Sequence, residues 1–236
     1  MSLPNFTVRH SPKAKNLRLK VTPEDGLCVV VPRGFDEARI PGILKRKKEW
    51  IADALTEAKE RKRFLEPRPA QHLPESILLQ ALGEQWIVSY REIPSKVGLG
   101  IRQEGHELVL SGAAFGRNAV LSKLKKWLRD KVSHDLEPLA RNVAKKSGFE
   151  LGRVLVKSQR TRWASCSFRG NLALNTKLLF LPPELVRYVL VHELSHTVHM
   201  NHSQDFWRLV VCHEPRYRVL DQQLRAAWKL VPRWLF

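Results

Sequence analysis

The sequence has only three cysteines, Cys28, Cys166 and Cys212, and no Cys-x-x-Cys pair. An odd number of scattered cysteines argues against a disulfide framework and indicates reduced thiols. No apolar run is long enough to cross a bilayer, and the first six residues lack the charged and apolar regions of a signal peptide. We therefore expect a cytoplasmic globular protein that does not contact a membrane.

Acidic residues are scarce relative to basic ones. The chain has 41 Lys and Arg against 23 Asp and Glu, which gives a formal net charge of +18 at pH 7. This charge favours anionic partners such as nucleic acid, nucleotides or acidic protein surfaces, although charge alone carries no specificity. The densest basic runs are Lys45–Lys48 and Arg61–Arg63, which either form a solvated face or contact phosphates.

The most specific motif is His192-Glu193-Leu-Ser-His196. Residues four apart share one face of a helix, so both imidazoles can bind one Zn²⁺ ion, while Glu193 lies beside the water that the ion acidifies. The segment that begins at Pro182-Pro183-Glu184 predicts a helix independently, because prolines and an acid suit its first turn and an apolar stripe follows.

A catalytic zinc ion needs a third protein ligand and an open position. His202 follows His196 by six residues, which is the ligand spacing of metzincins, but His199 stands where that class has glycine. Asn201 can adopt the left-handed conformation that turns the chain back. His202 is the preferred third ligand, with Glu214 and His199 itself as alternatives.

Several segments around the motif form a longer pattern: Arg162-Trp-Ala-Ser-Cys-Ser167, Gly170-Asn-Leu-Ala-Leu-Asn175, Leu181-Pro-Pro-Glu184, the His-Glu-Leu-Ser-His motif and Met200-Asn-His-Ser-Gln-Asp-Phe-Trp207. Together they resemble a known family, the YgjP-like metal-dependent hydrolases, which are related to the SprT-like and Wss-like zincins. The resemblance is closest over Leu151–Trp207 and extends loosely to Arg9–Leu19. It implies a minimal zincin domain with His192, His196 and His202 as metal ligands and Glu193 as the base, and it does not identify the substrate.

The hydrophobic pattern predicts an α+β protein with two regions. Residues 1–111 form a basic β/α region of short antiparallel strands around a helix at 36–65, and residues 112–236 form the zincin-like catalytic domain. Proline-rich residues Glu66–Pro74 are the best linker candidate. A long amphipathic helical stretch at 116–147 is bent or split at Pro138.

The segment before the motif supplies candidate substrate contacts. Strands are predicted at 154–158 and 171–175, and the second, bounded by Asn171 and Asn175, is expected to be an edge strand that binds a polypeptide by β-augmentation. Arg162 is a candidate to contact a substrate anion or an oxyanion. Cys166 is either a small buried residue or a thiolate that occupies the open position on zinc. Asp205 is a candidate partner for an imidazole N–H.

The sequence therefore predicts a zinc-dependent hydrolase, and the preferred interpretation is a metallopeptidase with Glu193 as general base, although another divalent metal is compatible with the ligands. Two alternatives remain open at this point. One is a hydrolase of nucleotide phosphoanhydrides, which the charge favours and the missing Gly-rich phosphate loop disfavours. The other is a nucleic-acid-binding protein with a structural metal.

Overall fold

The structure is a computed structural model that describes residues 4–22, 25–65, 72–94 and 97–236. The chain divides into two compact units, Met1–Pro67 and Arg68–Phe236. The predicted boundary between residues 111 and 112 falls inside the second unit, because strands before it share one hydrophobic core with helices after it. Most of the predicted linker, residues 66–71, lies outside the described residues. None of the described helices has the length and apolarity that a membrane span requires.

The first unit is a three-stranded sheet with two helices. Its strands are β1 (Phe6–His10), β2 (Arg18–Thr22) and β3 (Gly26–Val31), followed by α1 (Ile40–Arg46) and α2 (Lys48–Leu65). The central strand β3 pairs in parallel with β1 and antiparallel with β2. Leu27, Val29 and Val31 alternate with less buried residues, so one face of the sheet packs into the core of the unit.

The second unit begins with a four-stranded sheet in the order β4-β5-β7-β6. The strands are β4 (Ser76–Leu79), β5 (Glu84–Glu92), β6 (Gly100–Glu104) and β7 (Glu107–Gly112). Its β5–β7 pair is parallel, so the expected antiparallel arrangement holds for two of its three strand pairs.

The predicted long helix is divided at the expected place. Helix α3 (Arg117–Lys131) leads through a π-helical turn, Val132–Leu136, into α4 (Glu137–Lys146). Pro138 directly follows the π-helical turn, so the wider hydrogen-bond spacing lies where a residue without an N–H interrupts the regular pattern. The buried faces of both helices join the core that also covers the four-stranded sheet.

A second three-stranded sheet precedes the motif helix, and its order corrects one prediction. The strands β8 (Val154–Lys157), β9 (Ala164–Cys166) and β10 (Leu172–Asn175) lie in the order β8-β10-β9. The prediction that residues 171–175 form an edge strand is wrong, because β10 is central and all four of its residues are buried. The edge strand that contacts the motif helix α5 (Pro183–Ser195) is β9. Helices α6 (Gln204–His213) and α7 (Tyr217–Ala226) complete the unit.

Candidate metal centre

Helix α5 carries the first half of the site. It begins at Pro183 with Glu184 in its first turn, as predicted, and its apolar face is buried in the core. His192 and Glu193 occupy its last turn, and His196 is the residue that ends it. The rings of His192 and His196 are 5.3 Å apart between centroids, so the helix presents both to one side.

His202 joins these two residues from the segment that follows the helix. Its Nε2 atom lies 3.1 Å from Nε2 of His192. One ring nitrogen from each of the three histidines lies within 4.8 Å of the other two, and Cys166 does not belong to this group among the described residues. The structure therefore brings together the three histidines that the sequence selected.

His199 and Glu214, the two alternative third ligands, make other contacts. His199 accepts a hydrogen bond at its backbone oxygen from Nδ1 of His196, over 3.0 Å. Glu214 is buried and pairs with Arg187 at 3.0 Å. Neither side chain belongs to the histidine group in the part of the chain that the structure describes.

The environment of the histidines suits metal binding. Because a carbonyl oxygen only accepts, Nδ1 of His196 carries a proton, and Nε2 is the ring nitrogen left to bind a metal ion. Burial and the neighbouring imidazoles of His202 and His196 lower the pKa of His192 to about 4, and burial and His196 also lower the pKa of His202. His192 is therefore neutral at pH 7 and can act as a nitrogen ligand.

The spacing of the nitrogens fits a small divalent cation. Two imidazole nitrogens at about 2.0–2.1 Å from a tetrahedral zinc ion lie about 3.3 Å apart. The 3.1 Å between Nε2 of His192 and Nε2 of His202 is close to that value. Three imidazoles are also a donor set that zinc accepts in catalytic sites. The residues present thus fit the ion.

Aromatic rings surround His202, which lies beyond the end of α5. The ring of Trp207 stacks on it at 5.7 Å and 27°, and Tyr217 stacks on the other side of Trp207 at 5.2 Å and 26°. Phe206 stacks on His196 at 4.6 Å. The predicted role of Asp205 as an imidazole partner does not hold, since this exposed carboxylate pairs with Arg208.

Glu193 points from α5 toward the edge of the sheet. Its Oε2 atom accepts a hydrogen bond of 3.0 Å from the backbone N–H of Cys166 on β9. Burial raises the pKa of Glu193 to about 7, against the opposing effects of this hydrogen bond and of the positive charge of Arg162. A carboxyl group with a pKa near 7 can both accept and donate a proton at neutral pH.

A cavity of about 580 Å³ opens beside the three histidines and Glu193. Arg162 and the residues of β9 form one wall, and residues of α5 and α7 form the other. Its lining residues are Arg162, Trp163, Ala164, Ser165, Cys166, Tyr188, Val189, His192, Glu193, His196, Met200, His202, Asp221 and Leu224.

The two predicted substrate-binding asparagines do not line this cavity. Asn175 is buried, and its Nδ2 atom donates to the backbone oxygens of Gln159 and Arg162 at 2.7 and 2.6 Å. Asn171 accepts a hydrogen bond at Oδ1 from the backbone N–H of Arg153. Both side-chain amides therefore hydrogen-bond to the backbone of segments that adjoin the sheet. They do so because β10 is the central strand and neighbouring backbone covers its ends.

Two residues that line the cavity were not predicted from the sequence. The hydroxyl of Tyr188 donates to Oδ1 of Asp221 at 3.0 Å, and both residues line the cavity. Tyr188 had a usable signal, since it precedes His192 by one helical turn and so shares its face. Asp221 had none, because its position depends on how α7 packs against α5.

Cys166 is a neutral thiol in this environment. Burial and the nearby charge of Glu193 raise its pKa to about 11. Its Sγ atom donates to the backbone oxygen of Ser167 at 3.5 Å. The alternative in which Cys166 binds the metal as a thiolate finds no support in this geometry.

Comparison with known proteins places the chain. No curated protein sequence matches it. Among solved structures, the crystal structure of the metallopeptidase zymogen of Pyrococcus abyssi abylysin is 26% identical over 38% of this chain and 91% of that chain, with a TM-score of 0.35. We draw nothing from that likeness, because the score is low. The family model described as YgjP-like, metallopeptidase domain, matches residues 15–227. That match spans most of the two units, and the chain belongs to the YgjP-like family of metallopeptidase domains.

Proposed function

We propose that the protein is a zinc-dependent peptidase in which His192, His196 and His202 hold the ion and Glu193 is the general base. The observation that carries the proposal is the convergence of three ring nitrogens within 4.8 Å beside a buried carboxylate. When bound, zinc would polarise a peptide carbonyl and acidify a water molecule. The proposal extends the metallopeptidase assignment of the family to named residues of this chain.

Glu193 would move the proton that hydrolysis requires. As a carboxylate it accepts a proton from the attacking water, and as a carboxylic acid it returns that proton to the leaving amine. Its pKa of about 7 allows both steps near neutral pH. Burial raises this pKa, while the N–H of Cys166 and the charge of Arg162 keep it from rising further.

The edge strand β9 would align the polypeptide. In the β9–β10 pair, Trp163 accepts a hydrogen bond from Asn175, and Ser167 donates one to Asn171. Because hydrogen-bonded and non-hydrogen-bonded positions alternate in an antiparallel pair, the backbone N–H and C=O groups of Ala164 face away from β10. An extended substrate can add to this edge and pass the histidine group.

Arg162 would contact the substrate through its guanidinium group. Its backbone oxygen is held by Asn175, and its exposed side chain lines the cavity that contains Glu193. A cation at this position can bind a substrate carboxylate or stabilise the negative charge that develops on the carbonyl oxygen. The cavity thus offers a base, a cation and a strand edge around one metal site.

The test compares purified wild-type protein with the Glu193→Gln and His196→Ala variants. Each is assayed for zinc content and for hydrolysis of unfolded protein and of a fluorogenic peptide library. We expect Glu193→Gln to keep one zinc ion per chain and lose hydrolysis by at least about 100-fold, while His196→Ala loses both. Undiminished hydrolysis by Glu193→Gln would refute its role as the base.

A further inference from the structure

The outward face of the β1–β3–β2 sheet in the first unit carries several cations. The strand register places Arg9, Val30 and Arg18 in one row across the three strands, and Thr7, Cys28 and Lys20 in the next. The alternate residues of the strands pack into the apolar core of this unit. This face therefore presents Arg9, Arg18 and Lys20 to solvent.

The loop between β1 and β2 carries two further cations, Lys13 and Lys15. Residues 4–22 thus contain five Lys and Arg and no Asp or Glu. All five side chains are exposed. Within the described residues none of them forms a hydrogen bond or an ion pair.

Two carboxylates near this face, among the residues that the structure describes, contact other residues. Asp25 accepts a hydrogen bond from the hydroxyl of Thr22 at 3.2 Å, and Glu37 lies 2.9 Å from the ring of His10. A cavity of about 290 Å³ opens in the face, and its lining includes Arg9, His10, Lys20 and Asp25. The five cations are therefore available to an anionic partner.

We infer that this face, defined by Arg9, Lys13, Lys15, Arg18 and Lys20, binds the phosphate backbone of double-stranded nucleic acid. Residues two apart on a strand lie about 7 Å apart, and β1 and β2, on either side of β3, are about 10 Å apart. A duplex presents about one phosphate per 1.7 Å of its axis when both strands are counted, so about six phosphates lie along a 10 Å length and only some of them face the sheet. The five cations therefore set an upper limit of five phosphate contacts.

The other side chains of the face favour a duplex over a single strand. Thr7, Cys28 and Val30 complete the two rows, and none of the three is aromatic. Proteins that bind single strands stack bases on aromatic rings, whereas contacts to phosphates alone fix a duplex without selecting its sequence. Binding through this face is accordingly independent of sequence and does not depend on the proposed peptidase activity.

The experiment measures binding of the full chain to a 20-base-pair DNA duplex by fluorescence anisotropy across a series of salt concentrations. Five phosphate contacts predict a slope of about −4.5 in log K against log salt, or about a 500-fold loss of affinity between 50 and 200 mM. The double variant Arg18→Gln/Lys20→Gln should reduce the steepness of the slope by about 1.8. Both substitutions are at exposed positions of β2, so the fold is retained.

The matched control is Lys145→Gln/Lys146→Gln, which removes the same charge from exposed positions of α4 in the second unit. We expect it to leave the slope unchanged. Equal slopes for the two double variants would overturn the inference. So would binding of a single strand of the same length as tightly as the duplex, or displacement of the duplex by polyglutamate at equal charge.

Discussion

The backbone N–H of Cys166 donates a hydrogen bond to Oε2 of Glu193, with 3.0 Å between the two atoms. This bond joins the edge strand β9 to helix α5 at the point where β9 faces the cavity. It places the proposed proton acceptor two residues along β9 from Ala164, whose backbone atoms would align a substrate. Strand, base and histidine group are thus parts of one small region.

Substitution of Ala164 by proline tests whether β9 aligns the substrate. Proline removes the N–H that faces away from β10, and an edge strand tolerates this loss in its own sheet. We expect Ala164→Pro to lower kcat/KM for peptides by about 10-fold or more, with zinc content unchanged. The control is Val156→Pro on the opposite edge strand β8, whose N–H also faces away from β10, and it should leave kcat/KM of the folded protein within about 2-fold. An equal loss of zinc in Ala164→Pro would defeat the assignment.

The thiol of Cys166 should react slowly with alkylating reagents. Since its pKa is raised to about 11, only about 1% of it is thiolate at pH 9. We expect iodoacetamide to label the exposed Cys212 first in metal-free protein, and the labelling rate of Cys166 to keep rising until the pH approaches 11. Peptide mass spectrometry measures both rates. Equally fast labelling of the two residues at pH 8 would contradict a partly buried, neutral thiol at Cys166.

Trp207 should control metal affinity without contacting the metal. It stacks on His202, the one proposed ligand that lies beyond the helix, and so fixes the orientation of that ring. Loss of such an outer contact typically weakens metal binding by about 10- to 100-fold. We expect this loss for Trp207→Ala, smaller loss for Trp207→Phe and none for the exposed Val211→Ala on the same helix. Competition with a chromophoric chelator measures zinc affinity, and equal affinities for all three variants would exclude the role.

Asn175 should affect stability rather than substrate specificity. Its amide holds the backbone oxygens of Gln159 and Arg162 and accepts a hydrogen bond from the backbone N–H of Lys177. Asn175→Ala removes all three hydrogen bonds of a buried side chain, so we expect a loss of about 2–4 kcal/mol in the free energy of unfolding. The exposed Asn142→Ala should change it by less than about 0.5 kcal/mol. A stable Asn175→Ala variant with an altered peptide preference would favour the original substrate-binding prediction.

The histidine group was predictable because its information is local. Two histidines four residues apart, within a segment whose proline and apolar residues predict a helix, must lie on one face. His202 follows His196 by only six residues, so the short connecting segment keeps it near the other two histidines. The break at Pro138 was predictable for the same reason, since proline disturbs the helix in which it stands.

The position of β10 was predicted wrongly, because strand order depends mainly on partners elsewhere in the chain. Its sequence did contain one usable signal: Leu172, Ala173 and Leu174 form an apolar run without alternation, which is typical of a strand buried on both faces. The true edge strand β9 has only three residues, too few to show a period. The prediction that Asn175 binds substrate depended on an edge position for β10. The end of a central strand is instead covered by its neighbours.

Zinc X-ray absorption spectroscopy of the metal-loaded protein tests the central claim most directly. The account predicts one zinc ion per chain with three imidazole nitrogens at about 2.0–2.1 Å in its first shell. It also predicts that His202→Ala reduces the imidazole count to two. A sulfur ligand at about 2.3 Å, or an unchanged spectrum in a variant that lacks His192, His196 and His202, would contradict it.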